Sequence, residues 1–271
     1  MGEGRDLVLV GSVKGKLKEL YDYRNVLRSL VEKGLFGRYR NSFLGFAWHF
    51  AMPMVYIGLC FFINTEIRER SMENYWAFVA SGILVFHMLT SSVAGGCGCF
   101  TGNAGILKKM YLPREILVIS RATTSMIVML IGYAVVIGLM AVVGILHNPV
   151  TMLLILPLIP AIYFFCIGCM LALSSLTVYV RDIQYLLGSM GIVFFVFSPL
   201  RYMADTATGV RATILWMNPF TYYLESFHSI LYLGEVPDLY VYGMCFLLAF
   251  IAMVVGYLIF NRLKNGFVER L

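Results

Sequence analysis

From Ala122 to Val180, 59 consecutive residues, the chain contains no Asp, Glu, Lys or Arg. A soluble domain cannot carry such a stretch on a charged surface, and a membrane helix needs only about 20 residues to cross the hydrocarbon. The stretch therefore holds more than one crossing. His147-Asn148-Pro149 divides it with turn chemistry, which predicts one span from about Ala122 to Leu146 and another from about Val150 to Tyr179. The chain as a whole agrees: 60% of its 271 residues are hydrophobic, 13% are charged, and the mean hydropathy is +0.80. In hydrocarbon each backbone N–H and C=O must be satisfied internally, so runs of this length predict an all-α integral membrane protein.

The other apolar runs bring the count to six transmembrane helices: Phe43 to Ile63, bent by Pro53; Tyr75 to Phe100, ending in the small residues Ala94 to Gly98; the two spans above; Ile183 to Leu200; and Leu239 to Asn261. Residues 1–42 form an N-terminal segment ahead of a 43–271 transmembrane domain. Within that segment Leu20, Tyr23, Leu27, Leu30 and Val31 recur at helical steps while Lys18, Arg24, Arg28 and Lys33 fill much of the rest. This predicts an amphipathic helix over 16–33, lying in the membrane interface. The segment lacks the unbroken apolar core and small-residue cleavage site of a signal peptide, so insertion is expected to rely on the spans themselves. Between Arg201 and Asp238 the polarity is intermediate. Trp216, the turn and helix start at Asn218-Pro219, and the stretch through Glu225 are too short and interrupted to cross, which predicts re-entrant helices between the fifth and sixth spans.

Charge sets the orientation. Seventeen of the 21 Lys and Arg residues fall before the first span, in the 103–121 loop, at Arg181 or in the tail, and four (Arg68, Arg70, Arg201 and Arg211) fall on the opposite side. Positive residues collect in the cytoplasm, so both termini are expected there, in a multi-pass protein of the cytoplasmic membrane in contact with its lipids.

Several function classes fail on their residues. A formal charge of +6 and a pI near 9.0 would suit nucleic acid, but no basic stripe with interleaved aromatics lies outside the apolar runs, and no nucleic-acid partner is expected. The nearest approach to a phosphate-binding P-loop, Gly11 to Leu17, has three residues between its glycines where four are needed, and Leu17 where Ser or Thr would hold magnesium. No triad or zinc-protease motif appears, so catalytic residues, metal and cofactor are all expected to be absent from this chain. Cys60, Cys97, Cys99, Cys166, Cys169 and Cys245 sit in apolar surroundings and read as buried thiols, Cys166-x-x-Cys169 included. His49 and His87 read as packing residues. The aromatics of the first and fifth spans admit two readings, belts at headgroup depth or rings that stack on sugar faces along a path, and composition does not choose.

Several stretches, in order, resemble the membrane subunit of type 2 ABC exporters, in the branch that exports polysaccharides such as O-antigen, capsule or teichoic acid. They are Arg38-Tyr39-Arg40 with Leu44-Gly45-Phe46-Ala47-Trp48 and Pro53; Asn103 with Leu107-Lys108-Lys109 and Leu112-Pro113-Arg114-Glu115; Val178-Tyr179-Val180-Arg181-Asp182; and Asn218-Pro219 with Glu225-Ser226-Phe227. His228 departs from the family, which commonly has arginine there. The resemblance implies a homodimer with two copies of a separate ABC ATPase, which would bind ATP and Mg, and a lipid-linked glycan as substrate. It also implies that the 103–117 segment couples to the ATPase through Lys108, Lys109, Tyr111, Pro113, Arg114 and Glu115, with Arg181 and Asp182 as a lesser contact. Lining of a channel at the dimer centre is expected from Tyr56, Phe61, Phe194, Phe197 and Tyr202, and an exit cap from Trp216, Asn218, Pro219 and Glu225. The rival readings are a type 2 exporter of drugs or other small apolar compounds, and a polytopic glycosyl or acyl transferase.

Overall fold

In the computed structural model, which describes residues 15, 18–37, 47–62, 73–109, 112–145 and 148–270, the described part of each long apolar run is helical over most of its length. The described chain contains α1 (Arg24–Phe36), α2 (Trp48–Phe62), α3 (Tyr75–Gly96), α4 (Ala104–Lys109), α5 (Glu115–Val143), α6 (Pro149–Met152), α7 (Ile155–Tyr179), α8 (Asp182–Val196), α9 (Val210–Met217), α10 (Pro219–His228), α11 (Leu239–Leu263) and α12 (Phe267–Arg270), with no strand among the described residues. Among the described residues, four helical stretches are long and apolar enough to cross a membrane: Tyr75–Gly96, Glu115–Val143, Pro149–Tyr179 and Leu239–Gly266. α2 and α8 have 15 residues each, about 22 Å of helix against about 30 Å of hydrocarbon.

The ends of these helices differ from expectation for local reasons. α8 stops at Val196 and not Leu200, because Pro199 disfavours helical backbone in the residue before it. Asn218 then holds the unwound turn by donating from Nδ2 to the Ser198 hydroxyl at 3.0 Å. α3 ends at Gly96, in the glycine-rich run, and passes into a turn and a 3-10 segment at Thr101–Asn103. α5 starts seven residues earlier than expected, at Glu115, so Arg121 lies inside the helix and not in front of it. Asn148 caps α6, its Oδ1 accepting from the Val150 N–H at 3.0 Å.

α7 and α11 form the tightest pair in the bundle. Gly168 and Gly256 face each other so closely that a Cβ on Gly168 would strike the backbone of Ala252, and one on Gly256 would strike the Gly168 carbonyl. Backbone contact of this kind needs hydrogen on both sides, and between membrane helices it supplies packing that lipid cannot. α3 is the central helix, buried along most of its length against α5, α7, α8 and α10. α1 lies on α5, with Val31 and Leu35 buried beside Val128. The described cysteines Cys97, Cys99, Cys166, Cys169 and Cys245 are free thiols.

Candidate functional site: the coupling end and the opposite cap

One end of the bundle gathers the 103–114 segment, the Arg181-Asp182 turn and the chain's last helix. α4 carries Lys108 exposed on its surface and ends at Lys109. Tyr111 and the side chain of Lys109 lie outside the described residues. Pro113 precedes α5, Glu115 opens it as an acid in the first turn, and Arg114 stands at the cap position. Arg114 turns inward: its guanidinium donates to the Lys264 carbonyl and sits 5.1 Å over the Phe267 ring. Phe267 is fully buried against Phe100, at 5.1 Å between centroids, and Tyr179 donates to the Leu263 carbonyl at 2.9 Å. The segment before α5 is therefore braced against the end of α11. Asp182 lies in the first turn of α8 and Arg181 precedes it. Arg181 shares a cleft of about 220 Å³ with Thr101, Gln184 and Tyr185, so the two loops expected to meet a partner are adjacent.

At the other end, α9 and α10 form a helical corner. Asn218 is its organising residue: Oδ1 accepts from the Phe220 N–H at 3.0 Å, with Pro219 at the first helical position. The Tyr222 hydroxyl donates to the Trp216 carbonyl at 3.0 Å, tying α9 to α10. Tyr75 donates to the Arg201 carbonyl and Tyr232 to the Glu73 carbonyl, closing this end over α3. The aromatics named for a lining path are divided here. Phe194 packs on Phe220 at 4.8 Å, and Tyr56 meets Phe195 edge-on at 5.1 Å. Phe197 is 37% exposed, and Tyr202 lies under the Arg211 guanidinium at 4.0 Å. The side chain of Phe61 lies outside the described residues, as do Arg38 to Phe46 and the loop of 63–72. Among the described residues no three His, Cys, Asp or Glu side chains gather as a metal would require.

Residues 25–232 match the family model described as ABC-2 type transporter. The chain belongs to the ABC-2 type transporter family. It is similar to the O-antigen export system permease protein RfbA of Myxococcus xanthus, 28% identical over 227 residues that cover 82% of this chain and 86% of that protein. It is also similar to two proteins of the same description from Klebsiella pneumoniae, each 27% identical over 259 residues, covering 95% of this chain and 98% of each. This ABC-2 chain is thus a membrane subunit of an ABC transporter, a multi-pass protein of the cytoplasmic membrane.

Two ionisable groups of the ABC-2 chain, both on the non-crossing α10, were poorly legible in its sequence. His228 is buried, stacked on Phe78 at 4.1 Å, with Nδ1 2.8 Å from the Ser81 hydroxyl and Nε2 3.0 Å from the Pro199 carbonyl. Burial lowers its pKa to about 4, so it is a neutral packing hub and not a substitute for the family's arginine. Glu225 is raised to about 7, first by burial and then by the Asp205 carboxylate. Its folded state holds the proton to a higher pH than the unfolded chain does. Its contribution to stability is thus full below about pH 4.5 and is lost as the pH rises through about 7. Glu225→Gln should accordingly melt with the wild type at pH 4.5 and above it at pH 8. A melting difference independent of pH would show that Glu225 does not titrate in this range.

Proposed function

We propose that this chain is the membrane half of an ATP-driven exporter that moves a lipid-linked polysaccharide of O-antigen, capsule or teichoic acid type across the cytoplasmic membrane. In this reading the chain crosses six times, α2 and α8 being the short crossings, with both termini in the cytoplasm. Two copies pair, and two copies of a separate ATPase bind ATP and Mg and dock on the end that carries α4, Arg114 and Arg181. α9 and α10 cap the exit as re-entrant helices. Of the rings named for the path, Phe197 is the one described as exposed and would meet a passing glycan, while Tyr202 lies half-buried under Arg211, and Phe194 and Tyr56 pack on Phe220 and Phe195.

The observation that carries this reading is the likeness to O-antigen export permeases over nearly the whole of both chains. The braced coupling end supports it, because force passes from a soluble motor to membrane helices only through a stiff element. Cells lacking the chain should accumulate lipid-linked glycan on the cytoplasmic face and lose it from the surface, with recovery only when the chain and its ATPase are both returned. Normal surface glycan together with loss of resistance to an apolar drug would overturn the reading in favour of a drug exporter.

A further inference from the structure

A cavity of about 350 Å³ lies between α1, α3 and α5 at the coupling end, and no residue of α8 to α10 lines it. It is far larger than the roughly 30 Å³ of one water and falls within the usual size of a ligand pocket. Lys33 of α1 and Arg121 of α5 both line it, and no carboxylate does among the described residues. Neither cation has an ion pair among the described residues, where Arg28–Glu32 is the pair recorded. The Arg121 guanidinium lies over Gly95 of α3, where a Cβ would come within 2.6 Å of Nη2, so the glycine makes room for it.

Most hydroxyls of the cavity are spent on their own helices. Ser120 donates to the Leu117 carbonyl at 2.9 Å and Thr124 to the Ser120 carbonyl at 2.8 Å. Ser125 differs: its hydroxyl stands 3.5 Å from that of Ser91, whose own proton goes to the Met88 carbonyl at 3.0 Å, so the Ser125 proton is not drawn to a carbonyl of its own helix and can turn into the cavity. The donors that line it for a ligand are thus two cations, the Ser125 hydroxyl and the second N–H of the Asn103 amide, whose first goes to the Cys99 carbonyl at 2.8 Å; the set suits phosphate oxygens, with arginine supplying paired parallel N–H groups. The rest of the lining includes Leu30, Leu117 and Val128, which are apolar.

Depth decides between a soluble and a lipid phosphate. Arg121 is the last charge before the 59-residue uncharged stretch and stands six residues into a candidate membrane span, about 9 Å along it. The helix of 29 residues is about 43 Å long against about 30 Å of hydrocarbon, so a residue about 9 Å from its start falls within the overhang, at the level of the lipid phosphates, and an arginine there needs an anion or water. α1 beside it has the amphipathic pattern of a helix that lies in the same surface. We infer that the cavity between α1, α3 and α5 is a binding site for the phosphate headgroup of a membrane lipid, gripped by Lys33, Arg121 and Ser125, with its acyl or isoprenoid chains leaving past Leu30 and Val128. The site is independent of whichever glycan is exported.

The test uses the full chain in phosphatidylcholine nanodiscs doped with phosphatidic acid bearing a photoreactive group in its acyl chain, and reads labelling of α1 and α5 peptides by mass spectrometry. Phosphatidic acid should label these peptides at least about tenfold more than the matching diacylglycerol, and Lys33→Gln with Arg121→Gln should remove that excess, since each charge-assisted contact is worth about a factor of ten. Arg121→Lys should retain part of the labelling. Gly95→Ala should lower it by displacing the guanidinium with every charge still present, which keeps the test open if the double variant misfolds. Labelling that ignores the headgroup, or that survives both Arg121→Gln and Gly95→Ala in folded protein, overturns the site. Loss of labelling to excess inorganic phosphate overturns the lipid assignment in favour of a soluble phosphate.

Discussion

Gly256→Leu is expected to abolish the folded protein. The Gly256 Cα faces the Gly168 carbonyl with no space for a Cβ, and the atoms in the way are backbone atoms, which cannot rotate aside as a side chain would. Two helices of 25 residues each would have to separate along their shared face, and the cost should exceed the roughly 1–3 kcal/mol of ordinary overpacking. Gly168→Val should do the same from the other side. Gly243→Ala, on α11 where nothing lies within 4 Å, is the control, and should be neutral or slightly stabilising because alanine favours helix by about 1 kcal/mol. Fluorescence size exclusion of the solubilised chain reads the result. A monodisperse peak of normal height for Gly256→Leu would mean that α7 and α11 are not in backbone contact.

The second large effect is expected at Arg114. Its guanidinium donates to a carbonyl 150 residues away and covers the Phe267 ring, so it joins the start of α5 to the end of α11. A charge-assisted hydrogen bond is worth about 1.5–3 kcal/mol and a cation–π contact about 0.5–2 kcal/mol, the upper end when desolvated, enough to set whether the two ends move together. Arg114→Ala in the reconstituted complex should reduce transport-linked ATP hydrolysis about tenfold or more, by the loss of such a bond, while the ATPase still copurifies. Phe267→Ala should show the same phenotype in milder form. Loss of the ATPase from the complex would instead make Arg114 a direct partner contact, as its place in the sequence first indicated, and normal turnover would remove it from coupling.

That contrast marks how far the sequence reaches. Arg114 was legible as important, because a charge beside proline between two apolar runs is conspicuous in one dimension, but its inward direction was not. The same holds for His228. Its departure from the family pattern is visible in the sequence, whereas its neutrality depends on Ser81, 147 residues earlier, on the Pro199 carbonyl and on the Phe78 ring. Arg121 counted in the sequence only as one more positive charge on the inner side. A place in a cavity comes from the convergence of three helices, which no spacing along the chain encodes.

What the sequence by itself determined is whatever depends on transfer from water and on local backbone chemistry: the membrane class, the helical nature of each apolar run, the turn near Pro149 and the cap at Asn218-Pro219. These follow from composition over a few turns of helix and from side chains that bond their own neighbours. Tertiary structure alone decided which of the chain's 25 glycines carry the fold, where the fifth run stops being helix, and which charges face inward. In a chain so uniformly apolar, hydropathy cannot rank one helix face above another. The choice falls to shape, to the approach of Gly168 to Gly256 and of Gly95 to Arg121, and shape exists only once the helices are side by side.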